Sequence, residues 1–285
     1  MKRLLALVLS ACLLLAGCAS GAAGKAEENS ILATTAPVAE IVRALTDGTP
    51  YTCTQLISEP VSCLHDYSLS VEQMKNAEQA RLIVQSGFSL EDFMQDVLAG
   101  HETVLSLSDA LTPLPGEEGA DPHWWLDPSN MALAAAWLAE RLGSLYPDCA
   151  AQFSRNADAF GARMQELCGY ASQTLGTLRC RELVTFHDGF SYFADAFGLT
   201  VAAALEVESG SEPSARDLEQ IIALIRADGI PAIFTEKNGD TAAAGLVAEE
   251  TGVGVYTLDM AMELSAQSYY DVMKANLDTV RDALQ

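Results

Sequence analysis

The chain has 285 residues, with 39 acidic against 16 basic, for a formal net charge of −23. That balance argues against nucleic acid as a partner, because phosphate backbones are bound by clustered lysine and arginine. The length allows about two domains.

Lys2 and Arg3 followed by the apolar run from Leu4 to Leu15 read as a secretory signal, and Leu15-Ala16-Gly17-Cys18 resembles the lipobox of bacterial lipoproteins. The run is shorter than the ~20 apolar residues of a membrane span. Residues 1–17 are therefore expected to be cleaved, and lipid on Cys18 to anchor the chain to the cell membrane on its extracytoplasmic face. Residues 18–30 read as a small, polar tether. Losing Lys2 and Arg3 leaves 14 basic residues and a net charge of −25, a field that gathers cations without naming one.

Of the seven cysteines, Cys53, Cys63, Cys149, Cys168 and Cys180 remain for the fold, an odd number. Cys53 and Cys63 flank a short turn, where a disulfide in an oxidising envelope and two free thiols are equally good readings. Cys149 and Cys168 fall on one expected helix, too far apart to bridge.

Short β-rich runs alternate with amphipathic stretches, the pattern of parallel sheets wrapped by helices. Strands are expected at Ile31 to Thr35, Tyr51 to Ile57, Arg81 to Gln85 and Thr103 to Leu107, with helices at Pro37 to Thr46, Ser70 to Ala80 and Leu90 to Leu98. Thr112 to Gly119 reads as an acidic surface loop. Ser129 to Leu145 is helical, and a second helix from Pro147 to Leu178 carries an apolar stripe through Phe153, Phe160, Met164, Leu167 and Ala171. The alternation restarts with strands at Glu182 to Phe186, Thr200 to Leu205, Ala232 to Thr235 and Gly254 to Leu258, separated and followed by helices. The expected fold is α/β, with two lobes that each hold a mostly parallel four-stranded sheet, over residues 31–146 and 179–285. A long rigid spine helix over residues 147–178 joins them.

Three of the four histidines sit in similar contexts: His65 in Leu64-His65-Asp66-Tyr67, His123 in Asp121-Pro122-His123-Trp124-Trp125-Leu126-Asp127-Pro128, and His187 in Phe186-His187-Asp188-Gly189. Each proline around His123 restricts the backbone, and the flanking carboxylates can orient the imidazole while the tryptophans exclude water. His187, Glu236 and Asp259 fall at strand ends, where open α/β sheets gather ligands. Three imidazoles and one carboxylate suit tetrahedral Zn2+. If His65, His123, His187 and Asp259 all bind, no position is left for an activated water, which argues for carriage or structure rather than hydrolysis.

At these motifs the chain resembles the zinc/manganese solute-binding lipoproteins of bacterial ABC importers, along the whole mature sequence. Asp121 to Pro128 matches the second-ligand motif of that family, His187-Asp188-Gly189-Phe190-Ser191-Tyr192-Phe193 its third, and Ile233-Phe234-Thr235-Glu236 with Thr257-Leu258-Asp259 its C-terminal part. The resemblance implies two α/β lobes, a linking helix, and one metal ion in the cleft, delivered to a membrane permease by a non-enzymatic monomer. It implies Asp259 as fourth ligand, and a histidine at 187 resembles the zinc members rather than the manganese ones. The chain departs from the family pattern at Cys63-Leu64 before His65, at Met260 after Asp259, and in having no histidine between Thr112 and Ala120. Glu236 is open to binding the metal, orienting a ligand or facing a helix end, with the orienting role favoured. Asp66 and Asp188 either orient their neighbouring histidines or stay solvated. A manganese or iron carrier of the same family, and a lipid-anchored zinc hydrolase with Glu236 as base, are the alternative readings.

Overall fold

Ile31, Leu32 and Ala33 are consecutive and apolar, as in a strand covered on both faces, and they lie buried in β1 (Ser30–Ala33). The structure, a computed structural model, describes residues 29–61, 64, 67–116, 119–205, 213–239, 241–264 and 267–285. The signal segment, the tether up to residue 28 with Cys18, and Cys63, His65, Asp66, Glu117 and Glu118 lie outside the described residues.

Helix α1 (Ala36–Thr46) carries Pro37 in its first turn, where the missing N–H has no partner to lose, and buries Val38, Ile41, Val42 and Leu45. Strand β2 (Thr52–Gln55) and helix α2 (Val71–Gln79) follow, the helix opened by a reciprocal cap between Ser70 and Gln73. Then come β3 (Ile83–Gln85), α3 (Gln95–Ala99) and β4 (Val104–Ser106). The four strands pair in parallel in the order β2-β1-β3-β4.

Cys53 stands on β2 opposite Ile31 as a free thiol directed at the Ala39 carbonyl, and burial pushes its pKa up to about 11. Its expected partner Cys63 lies outside the described residues.

The helix expected from Leu90 to Leu98 is broken. A single turn at Asp92–Met94 precedes α3, and Phe88 and Ser89 have positive φ angles of 52° and 63°. The cause is Glu91, whose side chain turns inward: Oε1 accepts the Thr34 hydroxyl and the Ser86 amide, both at 2.7 Å, and Oε2 accepts the Gly87 amide at 3.0 Å.

A short antiparallel hairpin of β5 (Pro115–Gly116) and β6 (Gly119–Ala120) lies at the end of the stretch read as an acidic surface loop. Helix α4 (Pro128–Leu145) starts at Asp127, whose carboxylate accepts the Ser129 amide at 2.7 Å. One turn at Pro147–Cys149 leads into α5 (Ala150–Thr174), 25 residues and ~38 Å long. It ends before Leu178 because Leu175 leaves helical geometry and Gly176, a poor helix former, follows.

The second half runs β7 (Glu182–Thr185), α6 (Ser191–Phe197), β8 (Thr200–Ala204), α7 (Ala215–Asp228), β9 (Ala232–Glu236), α8 (Ala242–Thr251), β10 (Gly254–Leu258) and α9 (Tyr269–Leu284). Its strands are parallel in the order β10-β9-β7-β8. The fold is therefore α/β, with two parallel four-stranded sheets flanked by helices and a long helix. One hydrophobic core runs from Ile31 of the first sheet through Trp124, Trp125 and α5 to Phe234 and Leu258 of the second, and a smaller one lies beneath α7 and α8. Among the described residues no helix is long and apolar enough to cross a membrane.

In each sheet the winding direction reverses between two central strands, β1 and β3 in the first and β7 and β9 in the second. Such a reversal leaves a crevice at the carboxyl ends of the strands. In the first sheet that crevice is filled by Glu91, which joins Thr34 after β1 to Ser86 and Gly87 after β3. Burial raises its pKa against the pull of these three donors. In the second sheet the crevice carries His187 and Glu236.

Candidate metal centre

Asp121 sets His123. Its Oδ1 accepts the His123 backbone N–H at 2.9 Å and lies 2.8 Å from Nδ1 of the same residue. Both residues are buried, at 4% and 5% exposure, so the contact is shielded from water. A carboxylate on Nδ1 holds the proton there and leaves the Nε2 lone pair as the donor atom, the usual arrangement behind a metal-binding imidazole.

The two tryptophans anchor the loop in opposite directions. Trp124 donates its indole N–H to Ser86 Oγ at 2.8 Å, beyond β3 in the first half. Trp125 donates to the Met260 carbonyl at 2.8 Å, one residue past Asp259 in the second half. The Tyr269 hydroxyl of α9 donates to the Trp125 carbonyl at 2.6 Å. A further tie between the halves is the Leu114 amide, which donates to the Tyr192 hydroxyl of α6 at 2.8 Å.

His187 lies two residues beyond β7, buried, and its Nε2 faces Nε2 of His123 at 3.3 Å with the rings perpendicular. Two nitrogens bound to one tetrahedral zinc at ~2.05 Å stand ~3.3 Å apart, so the pair has the spacing of one edge of such a site. Asp188 is half-buried beside them. Burial first, and then the charge of Asp121, push its pKa up.

Asp259 follows β10 directly, and Asn276 of α9 grips its backbone on both sides, accepting its N–H at 2.9 Å and donating to its carbonyl at 2.7 Å. The carboxylate itself is engaged. Oδ1 accepts the Ala261 amide at 2.8 Å, and Oδ2 accepts Lys237 Nζ at 3.0 Å. Lys237 also stands 3.6 Å from Glu263, and its pKa is raised, first by the bond to Asp259.

Glu236 closes β9 and is buried. The chain folds tightly over it, because a Cβ on Gly239 would fall 2.5 Å from its Cγ. That leaves little room there for any residue but glycine.

The described residues thus bring His123 and His187 together, with Asp121 behind one and Asp188 nearby. Among them no group of three or more His, Cys, Asp or Glu side chains is close enough to hold a metal ion. His65 and Asp66, expected on the first-half rim, lie outside the described residues. Lys237, Asn276, Ser86 and Tyr192 were not singled out from the sequence. The first had one visible signal, its place directly after the strand-ending Glu236. His101 instead lies within the first half, where its Nδ1 accepts the Thr103 amide at 3.3 Å and its Nε2 donates to the Ala80 carbonyl.

The family model described as zinc-uptake complex component A, periplasmic, matches residues 31–283. The chain is 27% identical over 308 residues to the high-affinity zinc uptake system protein ZnuA of Brucella abortus, covering 91% of each chain. It is also 27% identical over 226 residues to the manganese-binding lipoprotein MntA of Halalkalibacterium halodurans, covering 75% of each. The crystal structure of a ZnuA superposes with a TM-score of 0.79 at 27% identity, over 89% of this chain and 98% of that one.

Proposed function

The chain belongs to the zinc-uptake component A family, and from that premise we propose that it captures Zn2+ between its two halves and hands it to an ABC importer permease. Membership makes it a metal-binding solute-binding protein of an importer, working outside the cytoplasm and not an enzyme, so the hydrolase alternative falls. Zinc as the cargo, lipid on Cys18 as the anchor, and His65, His123, His187 and Asp259 as the ligands are our reading.

The observation that carries this reading is the buried Nε2 pair of His123 and His187 at 3.3 Å, with Asp121 on the Nδ1 of the first. Neutral imidazoles presented in pairs favour borderline zinc over the harder manganese ion, which is better served by oxygen donors. The manganese-binding lipoprotein MntA and the iron-binding protein YfeA are relatives at the same 27% identity, so the competing reading within the family is a manganese or iron carrier.

The test is a competition. Metal-stripped mature protein is offered equal Zn2+ and Mn2+, and bound metal is counted by elemental analysis. One zinc per chain with manganese excluded is expected. Manganese retained in preference would overturn the metal assignment, and no tightly held ion would overturn the site.

A further inference from the structure

Asp259 carries a cation of the chain's own. The Lys237 ammonium lies on Oδ2 at 3.0 Å, while Oδ1 is taken by the Ala261 amide. The placement of Lys237 is fixed by the sheet: its backbone N–H donates to the Leu258 carbonyl at 2.8 Å, so its stem starts directly beside Asp259. Glu263 Oε2 stands 3.6 Å from the same ammonium, on the chain segment just beyond.

An ammonium and a divalent ion want the same carboxylate lone pairs, and where both approach one carboxylate they also repel each other. We infer that Lys237 is an internal competitor for the cargo ion, holding Asp259 Oδ2 against the metal and moving its charge to Glu263 when the metal takes that oxygen. The inference rests on the reading of Asp259 as a metal ligand. Glu263 matters because it offers the displaced ammonium a second carboxylate, so the exchange strands no charge. The device sets affinity below what the donor set alone would give. It also aids release, since the returning ammonium replaces the metal on Asp259.

The test is the affinity for Zn2+ alone, read by competition with a chromogenic chelator on the full mature chain. Lys237→Met keeps the stem and removes the charge, and we expect it to bind Zn2+ roughly two- to fivefold more tightly and to release it more slowly, the scale of a partly exposed ion pair. Lys237→Arg restores the charge and is expected to return affinity to the parent value. A merely structural lysine would give equal or weaker binding in Lys237→Met, and that result overturns the inference. Asp259→Asn separates the two readings. If it loses affinity while Lys237→Met gains none, only the competition fails. If Asp259→Asn binds as the parent does, the ligand assignment fails and the competition with it. In the double variant the gain from Lys237→Met should disappear, because the two changes act on one contact.

Discussion

One oxygen of Asp121 serves both the backbone N–H and the ring Nδ1 of His123, so it fixes the position of the imidazole and the location of its proton together. Asp121→Asn keeps the shape but offers an amide, whose NH2 end can face Nδ1 and whose oxygen is a weaker acceptor. Zinc affinity in this variant should fall about 10- to 100-fold, the usual consequence of losing the carboxylate behind a ligating imidazole. A chelator competition checks it, and an unchanged affinity would remove Asp121 from the site. The Asp121-His123 relation was legible in the sequence because the two residues are neighbours held by Pro122. The contact between Lys237 and Asp259 was not, because it joins residues 22 positions apart and exists only through the parallel pairing of β9 and β10. Short-range chemistry shows in a sequence; chemistry made by strand register does not.

Among the elements, the first sheet shows what the second would look like if it were closed. Glu91 fills the crevice between β1 and β3 and meets three donors, where the equivalent crevice between β7 and β9 leads to His187 and Glu236. Glu91→Gln tests the plug. A glutamine brings one acceptor and one donor to a place lined by donors, so its NH2 group must face either the Gly87 amide or the Ser86 amide. We expect a loss of about 1–3 kcal/mol in urea unfolding, the penalty for leaving a buried donor unmade. A stability equal to the parent would show that the carboxylate is not needed to close the sheet. Apolar spacing from Leu90 to Leu98 reads as a helix, and periodicity carries no sign that one side chain in it turns back to bond the preceding strand end. Most other elements stand within two residues of their expected limits at each end, because their apolar periods and caps are local signals. The order of strands in the sheets was not readable, since the central strands that pair are far apart in sequence.

At the scale of the molecule, α5 is tied to both halves. Its start is held to the first half, where Asn156 donates to the Leu45 and Asp47 carbonyls at 2.7 and 2.9 Å. Its end is held to the second, where the Tyr170 hydroxyl donates to Asp278 of α9 at 2.6 Å. Between these points Phe153, Phe160, Met164 and Leu167 lie in the core shared by both sheets. The stripe was visible in the sequence as an i, i+3/i+4 pattern. A shared core makes a definite prediction. Leu167 is fully buried, so Leu167→Ala should lower stability by about 2–5 kcal/mol through lost burial and the cavity left behind. If the halves fold as one, the loss appears as a single transition shifted as a whole, with coincident midpoints by tryptophan fluorescence and far-ultraviolet circular dichroism. The two probes sample different regions, because Trp124, Trp125 and Trp137 all precede α5 while both halves contribute helix. Two separated midpoints would show that the halves unfold independently. In that case the proposed metal site would not be preformed by the core, and the approach of His123 to His187 would depend on the ion it is proposed to bind.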